Sequence, residues 1–187
     1  MSGSVGIDRA LVLLALLIAL ASGGALGSQR ATAGPETSRQ RAVTAAALEL
    51  VSGRPGDLGY RLVIAAPRPR VRGVTDRRLR TITLFVGDHE VPHMLAHDLA
   101  HELGHAFDDR RMTDRLRRAY LRRRGFPRAA WWPRGQFSDY ATGAGDFAEV
   151  FALCHAASPE FRSRLAPRPQ DPCALLPAAA RLHGGRR

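Results

Sequence analysis

The sequence predicts an α+β domain in which a small sheet packs against a long helix and the C-terminal part is mostly helical. Two short β-branched runs lie close together between residues 60 and 86. A stretch with helical period begins at about residue 92, and further helical stretches follow it. The chain of 187 residues has room for one such domain once an N-terminal targeting stretch is set aside.

Residues 1–27 have the composition of an export signal. Arg9 precedes a continuous apolar run at 10–21, and Ala25-Leu26-Gly27 behind it resembles a signal-peptidase site. The run is shorter than the roughly 20 residues of a spanning helix, so a cleaved signal is favoured over a permanent anchor. Its lack of a polar face argues against a buried core helix. We therefore expect a secreted protein, or one anchored on the outer face of the membrane if the segment is retained.

The first structural elements follow a short polar linker. Residues 28–37 are small and polar with one proline, so the folded domain is expected at 38–187. Apolar residues recur with helical period over 38–52, and a glycine and a proline follow, which predicts the first helix. The segments 60–66 and 80–86 are apolar, rich in β-branched residues and bounded by glycine or proline, which predicts two strands.

The remaining elements are predicted to be helices. Leucines and a phenylalanine recur on one side of 92–108, with a proline tolerated in the first turn, so this segment should be the central helix. An arginine-rich helix is predicted over 111–124 and is followed by an irregular aromatic loop. A further helix is predicted over 146–156, and the tail has the pattern of a short helix at 174–182.

The charge is strongly positive. The net charge is +11, and all 28 basic residues are arginines, concentrated at 68–80 and 110–128. In the second segment they circle the predicted helix instead of lining one face, and no aromatic residues interleave with them for base stacking. A solvated surface is therefore favoured, with contact to an anionic surface through the arginine-rich helix kept as an alternative. We expect a monomer with no specific nucleic-acid partner.

Cys154 and Cys173 are the only cysteines. In an exported protein such a pair can close one disulfide across the proline-rich segment between them. Zinc ligation by these two residues is disfavoured because they lack CxxC spacing.

The segment with the most chemical information is 101–105, which has the HExxH form. On a helix, His101 and His105 lie one turn apart on the same face, so both imidazoles can reach one metal ion. Glu102 then faces the open side of the metal. In that position it can accept a proton from a metal-bound water that attacks a carbonyl group.

Two other histidine pairs have similar spacing. Residues 89–93 also spell HExxH, but Pro92 lies inside the match, where the chain turns from strand to helix. Residues 97–101 carry aspartate in place of the glutamate and share His101 with the better match. For His93 and His97, a polar or outer-shell role is favoured over ligation.

Zinc needs a third protein ligand and one open position. The metzincin continuation is excluded, because Asp108 and Arg111 stand where glycine and histidine would be required. Glu149 is the leading candidate, and Asp146 one turn earlier on the same predicted helix is the alternative. One of the two carboxylates would ligate the metal while the other orients a histidine ligand.

Three blocks in order, HELGHAFDD at 101–109, Ser-Asp-Tyr at 138–140 and DFAEVFA at 146–152, resemble the protease domain of anthrax lethal factor and small secreted gluzincin-type metallopeptidases similar to it. The resemblance covers about 80–165. It implies a zincin-like fold, zinc bound by two histidines and an acid, Glu102 as the general base, and Tyr140 as hydrogen-bond donor to the tetrahedral oxyanion. The chain departs from that family at Gly145, where an acid four residues before Glu149 would be usual.

The expected function is that of a zinc metalloendopeptidase, a hydrolase that acts on a protein or peptide substrate with Zn²⁺ as its cofactor. Glu102 and Tyr140 are the expected catalytic residues, and His101, His105 and Glu149 (or Asp146) the expected ligands. Two alternatives remain. Gly145 leaves room for a zinc-binding exported domain without activity, and the arginine-rich helix for a basic exported binding protein.

Overall fold

The computed structural model of the protein describes residues 37–132, 138–156 and 158–180. The expected export signal and nearly all of the expected linker lie outside these residues. Within them, no helix has both the length and the apolar character that crossing a membrane requires.

The described residues form five helices and a three-stranded sheet, with 3₁₀ turns at Pro55–Leu58 and Ala178–Ala180. The α+β class is therefore confirmed. The elements in chain order are α1 (Ser38–Glu49), β1 (Arg61–Ala65), β2 (Gly73–Asp76), β3 (Thr81–Phe85), α2 (Pro92–Arg111), α3 (Asp114–Arg123), α4 (Gly143–His155) and α5 (Pro172–Leu175).

Helix α1 begins with a capping box. The Thr37 hydroxyl accepts the backbone N–H of Gln40 at 3.1 Å, and the Gln40 side chain accepts the backbone N–H of Thr37 at 2.8 Å. These bonds satisfy N–H groups that have no partner within the helix. The Gln40 amide also donates to the carbonyl oxygen of Val86 at 2.9 Å, which ties α1 to the end of β3.

The sheet has the order β1-β3-β2, with β1 parallel and β2 antiparallel to β3. Ile82 and Leu84 of the central strand are fully buried. The sequence predicts only two strands, and β2 is the one that it misses. Its four residues carry no alternation of apolar and polar side chains, and its backbone bonds to β3 create the strand.

Helix α2 starts with Pro92, whose missing N–H costs nothing in the first turn, and it extends to Arg111, three residues beyond the predicted end. Leu95, Leu99 and Leu103 are at most 1 % exposed and anchor the helix in the core. Each contributes about 1.5–3 kcal/mol of burial free energy. This packing fixes the orientation of the helix and of the side chains on its opposite face.

Helices α2 and α4 approach each other closely at Gly104. A methyl group at this position would lie 2.8 Å from the Cα of Ala148 and 3.2 Å from the Cβ of Phe151, so the contact requires glycine. This close packing brings Glu149 of α4 beside the histidines of α2.

The C-terminal part departs from its predicted boundaries. Helix α4 begins at Gly143, because the Thr142 hydroxyl caps it by accepting the backbone N–H of Gly145 at 3.2 Å. In place of one helix at 174–182, the tail forms the shorter α5 and a later 3₁₀ turn, and 181–187 lie outside the described residues. Cys154 and Cys173 form a disulfide that joins α4 to α5.

Candidate metal centre

The two histidines of the HExxH segment face each other on helix α2. The Nε2 atom of His101 lies 3.2 Å from the Nε2 atom of His105, as the four-residue spacing predicts. The side chain of His101 is 8 % exposed and that of His105 is 16 % exposed. Both imidazoles therefore present a nitrogen to one small region at the edge of a cleft.

Asp139 supplies the third donor atom of this group. Its Oδ2 atom lies 2.8 Å from Nε2 of His105 and 3.7 Å from Nε2 of His101. His101, His105 and Asp139 are the set of three among the described residues whose donor atoms lie within 4.8 Å of one another. The sequence did not identify Asp139 as a ligand, although it stands beside Tyr140 in the block that carries the family resemblance.

The donor set fits a tetrahedral zinc ion. Nitrogen and oxygen ligands at the usual zinc distances and tetrahedral angles lie about 3.3 Å from one another. The three separations in the structure are 2.8, 3.2 and 3.7 Å, which bracket that value. Two imidazoles and one carboxylate are also a common ligand set for a catalytic zinc site with one open position.

Gly145 makes room for Asp139. A methyl group at position 145 would lie 2.3 Å from the carbonyl oxygen of Asp139 and 3.0 Å from its Cγ atom. Any larger residue would therefore force the loop that carries Asp139 away from the histidines. Gly145 departs from the family pattern, and the space that it leaves is occupied by Asp139 of the candidate ligand group.

Glu149 lies on the far side of His101. Its Oε1 atom accepts a hydrogen bond from Nδ1 of His101 at 2.7 Å and one from Nε2 of His97 at 3.3 Å. Since a carboxylate only accepts, Nδ1 of His101 carries a proton, and Nε2 is the nitrogen that would bind a metal by giving up its own proton. The structure therefore places the expected ligand Glu149 against the other nitrogen of the ring, outside the group of three donor atoms found among the described residues.

Asp146, the alternative expected ligand, also lies outside this group. Its carboxylate is fully buried and accepts from Tyr120 at 2.6 Å, from Nε of Arg124 at 2.7 Å and from Ser163 at 2.5 Å. Positions 146 and 149 are three apart, but α4 turns Asp146 toward α3 and Glu149 toward α2. Asp146 thus ties α4 to α3 and to the C-terminal segment.

Two carboxylates flank the histidine pair. Burial alone would raise the pKa of Asp139, but its hydrogen bonds to His101 and His105 hold that pKa well below its ordinary value. Burial alone would likewise raise the pKa of Glu149, and bonds to His101 and His97 lower it. Burial would lower the pKa of His101, yet bonds to the two carboxylates raise it well above the ordinary value. The two carboxylates thus favour positive charge at the histidines. A divalent metal ion bound there would also supply positive charge.

Glu102 faces strand β2 across the cleft. Thr75 donates its hydroxyl hydrogen bond to Oε2 of Glu102 at 2.7 Å. A methyl group at Gly73 would lie 2.7 Å from Oε1 of the same carboxylate, so a larger residue there would displace the Glu102 side chain. These two contacts hold the Glu102 carboxylate in one position, and no sequence pattern pointed to Thr75 or Gly73.

The other histidines of α2 behave as the sequence favoured. His97 is fully buried and donates to Glu149, so it acts behind the ligand set. His93 is exposed, and so is His89 in the turn before the helix. Neither belongs to the ligand group found among the described residues.

His101, Glu102, His105 and Asp139 line one cleft of about 600 Å³. Tyr140 lies in its wall, with its ring edge-on to His101 and the ring centroids 5.6 Å apart. Asp98 lies deeper and is bound by Arg72 and Arg162, each at 2.6 Å. The cleft therefore combines three donor atoms for a metal, a positioned carboxylate and a phenol.

Comparison with known proteins adds no assignment. No protein-family description, no curated protein and no solved structure matches this chain.

Proposed function

We propose that this protein is a zinc-dependent metallopeptidase with a zincin-like fold. The observation that carries the proposal is the convergence of Nε2 of His101, Nε2 of His105 and Oδ2 of Asp139, beside the carboxylate of Glu102 in the same cleft. The ligand set replaces the expected Glu149 or Asp146 by Asp139. Glu102 keeps the role that the HExxH segment predicts for it.

His101, His105 and Asp139 would hold the ion, and Glu149 would orient His101. A zinc ion bound there supplies a Lewis acid for the scissile carbonyl and lowers the pKa of a water molecule toward about 7. Glu102 would take one proton from the attacking water on its carboxylate. It would then give that proton to the amine nitrogen as the carbon–nitrogen bond breaks.

Tyr140 would donate a hydrogen bond to the oxygen that becomes negative in the transition state. Its position in the cleft wall near His101 supports this role. A donor aimed at such an oxygen typically lowers the activation free energy by about 2.7–4 kcal/mol. The Cys154–Cys173 disulfide supports the export that the N-terminal sequence predicts, because disulfides persist in oxidising compartments.

The test measures zinc content and hydrolysis of a peptide library by the purified full chain. Glu102→Gln should still bind one zinc but lose about 10²- to 10⁴-fold in kcat, the contribution of a general base. Glu49→Gln is the matched control, because Glu49 is 80 % exposed on α1, away from the cleft. A chelator should abolish activity and added zinc should restore it.

Equal hydrolysis by wild type and Glu102→Gln would end the assignment of Glu102 as base. Stoichiometric zinc without cleavage of any peptide would favour the inactive zinc-binding domain instead. Gly145 no longer motivates that alternative, since the space beside it is filled by Asp139.

A second candidate function is binding to an anionic surface through α3. Arg115, Arg118, Arg122 and Arg123 are all exposed on this helix. Such binding would weaken as salt is added, because it depends on screened charges. Removing the metal would leave it unchanged, which separates it from the chemistry of the cleft.

A further inference from the structure

Arginines crowd the cleft that holds the candidate metal centre. Five of the residues that line it are arginines, at positions 68, 70, 72, 77 and 162. The carboxylates in the same lining are Asp98, Glu102 and Asp139. Two of these three are assigned to the metal and the proton transfer, and a bound dication would add further positive charge. The cleft is therefore an electropositive site.

The five arginines fall into two classes. Arg72 and Arg162 are committed to the protein itself, since both bind Asp98 at 2.6 Å and each has a second acidic partner, Glu90 or Glu160. Their charges are neutralised by those partners. Guanidinium groups paired in this way shape the cleft instead of attracting a ligand.

Arg68, Arg70 and Arg77 form the second class, which we name the open arginines. None of them has an acidic partner among the residues that the structure describes, whereas the two committed arginines both do. All three residues are exposed. Their N–H donors therefore face solvent at the cleft, where a carboxylate could bind in the bidentate manner that guanidinium groups favour.

The backbone holds two of the open arginines at a tight turn. Arg68 pairs with Val71 in a short bridge, and Arg70 between them has a φ of 63°. This left-handed conformation disfavours most residues other than glycine and asparagine. The turn thus presents an arginine side chain where a smaller residue would suit the backbone better.

Arg77 is positioned by stacking. Its guanidinium carbon lies 4.1 Å from the ring centroid of Trp132, which also lines the cleft. Cation–π stacking orients the guanidinium plane and leaves its edge donors available. Arg77 follows the last residue of β2, whereas the turn with Arg68 and Arg70 precedes the first, so positive charge stands at both ends of this strand.

Strand β2 lies between these arginines along the chain. It lies at the edge of the sheet formed by the described residues, and Gly73, Val74 and Thr75 line the cleft. Thr75 binds the proposed base, Glu102. An extended chain along this edge would pass the reacting centre near Thr75, with the open arginines before and after it.

We propose that the substrates of this cleft are acidic polypeptide segments, with carboxylate side chains on both sides of the cleaved bond bound by Arg68, Arg70 and Arg77. The proposal rests on the proposed function, because the open arginines surround the centre assigned to peptide hydrolysis. A basic segment is repelled from the same cleft.

The test compares two peptides of identical length, one with glutamates around a central cleavable bond and one with glutamines in their place. The zinc-loaded full chain should hydrolyse the glutamate peptide with the higher kcat/KM, by roughly three- to tenfold at low salt. Added salt should reduce the preference, since exposed charges are screened. Equal kcat/KM for the two peptides would overturn the proposal.

The matched variants separate the open arginines from the overall positive charge. Arg68→Ala with Arg70→Ala should remove most of the preference for the glutamate peptide. Arg115→Ala with Arg118→Ala removes the same charge from exposed positions of α3 and should keep the preference. If both double variants lose the preference equally, bulk charge is responsible and the proposal fails.

A binding measurement keeps the proposal testable even without hydrolysis. Fluorescence anisotropy of the labelled glutamate and glutamine peptides is measured with zinc-loaded Glu102→Gln. Tighter binding of the glutamate peptide that depends on Arg68 and Arg70 supports acidic recognition, even if no peptide is cleaved and the proposed function fails. Equal binding of both peptides overturns it. A single-stranded oligonucleotide that displaces the glutamate peptide at lower concentration would assign the cleft to nucleic acid instead.

Discussion

Helices α2 and α4 pack against each other, but they serve the candidate metal centre in different ways. Helix α2 presents His101 and His105 to the cleft directly. Helix α4 keeps Asp146 and Glu149 fully buried, with Asp146 bound to Tyr120 and Glu149 to Nδ1 of His101. The donor on the α4 side comes from Asp139, in the loop before the helix. Two candidate ligands four residues apart are aligned by the helix itself, whereas the position of the third depends on the packing of a loop.

The largest expected effect removes the ligand that packing delivers. Asp139→Ala should lower zinc affinity by more than the roughly 10- to 100-fold that loss of an outer partner costs, and peptide hydrolysis should fall with it. Competition with a chromophoric chelator measures the affinity. Ser138→Ala, next to it in the cleft lining, is the control and should bind zinc as the wild type does. Unchanged affinity in Asp139→Ala would show that the third ligand lies elsewhere.

The second prediction tests the packing itself without altering a donor atom. Gly145→Ala places a methyl group 2.3 Å from the carbonyl oxygen of Asp139, so the loop must move and zinc affinity should fall by at least roughly tenfold. Gly56→Ala is the matched control, because a methyl group there meets nothing within 4 Å. Wild-type affinity in Gly145→Ala would mean that Asp139 keeps its place without the glycine.

The third prediction concerns the carboxylate of α4 that supports a ligand. Glu149→Gln removes the negative charge from Nδ1 of His101 and keeps the shape of the side chain, so zinc affinity should fall roughly tenfold. The same chelator competition measures it. The fall should be smaller than in Asp139→Ala, and an equal fall would contradict the different roles of the two carboxylates.

Asp146→Asn on the same helix provides the contrast. It leaves Arg124, whose side chain is 7 % exposed, without its counter-charge, so the protein should lose about 3 kcal/mol of stability. Denaturant unfolding measures this loss. The folded variant should bind zinc as the wild type does, whereas weakened binding would show that Asp146 acts on the centre.

The same contrast explains which parts of the site could be predicted from sequence. His101, Glu102 and His105 could be predicted because Glu102 is one residue and His105 four residues after His101 on a helix. Helix geometry alone then determines where their side chains point. Asp139 could not be found in this way, because its position depends on a loop and on the space beside Gly145. A signal did exist: the missing side chain at 145 coincides with an aspartate shortly before it.

The fold shows the same limit. Strands β1 and β3 carry enough apolar and β-branched residues to be predicted, and the helices follow from their period. Strand β2 has only Gly73–Asp76 and depends on its hydrogen bonds to β3. That unpredicted strand supplies Thr75 and Gly73, the two residues that position Glu102.

The last prediction concerns the α2 side, where sequence alone predicts Glu102 as the base but does not identify the residue that positions it. Thr75→Val removes the 2.7 Å hydrogen bond to Oε2 of Glu102 and keeps a branched side chain of similar size. Because the net contribution of one hydrogen bond to a charged group is about 1.5–3 kcal/mol, kcat/KM should fall by roughly tenfold or more. That loss is smaller than the upper range expected for Glu102→Gln, and zinc affinity should not change. Thr83→Val on β3 is the control, since Thr83 does not line the cleft. A Thr75→Val enzyme with wild-type kcat/KM would mean that the HExxH helix positions its own base and that β2 contributes only the wall of the cleft.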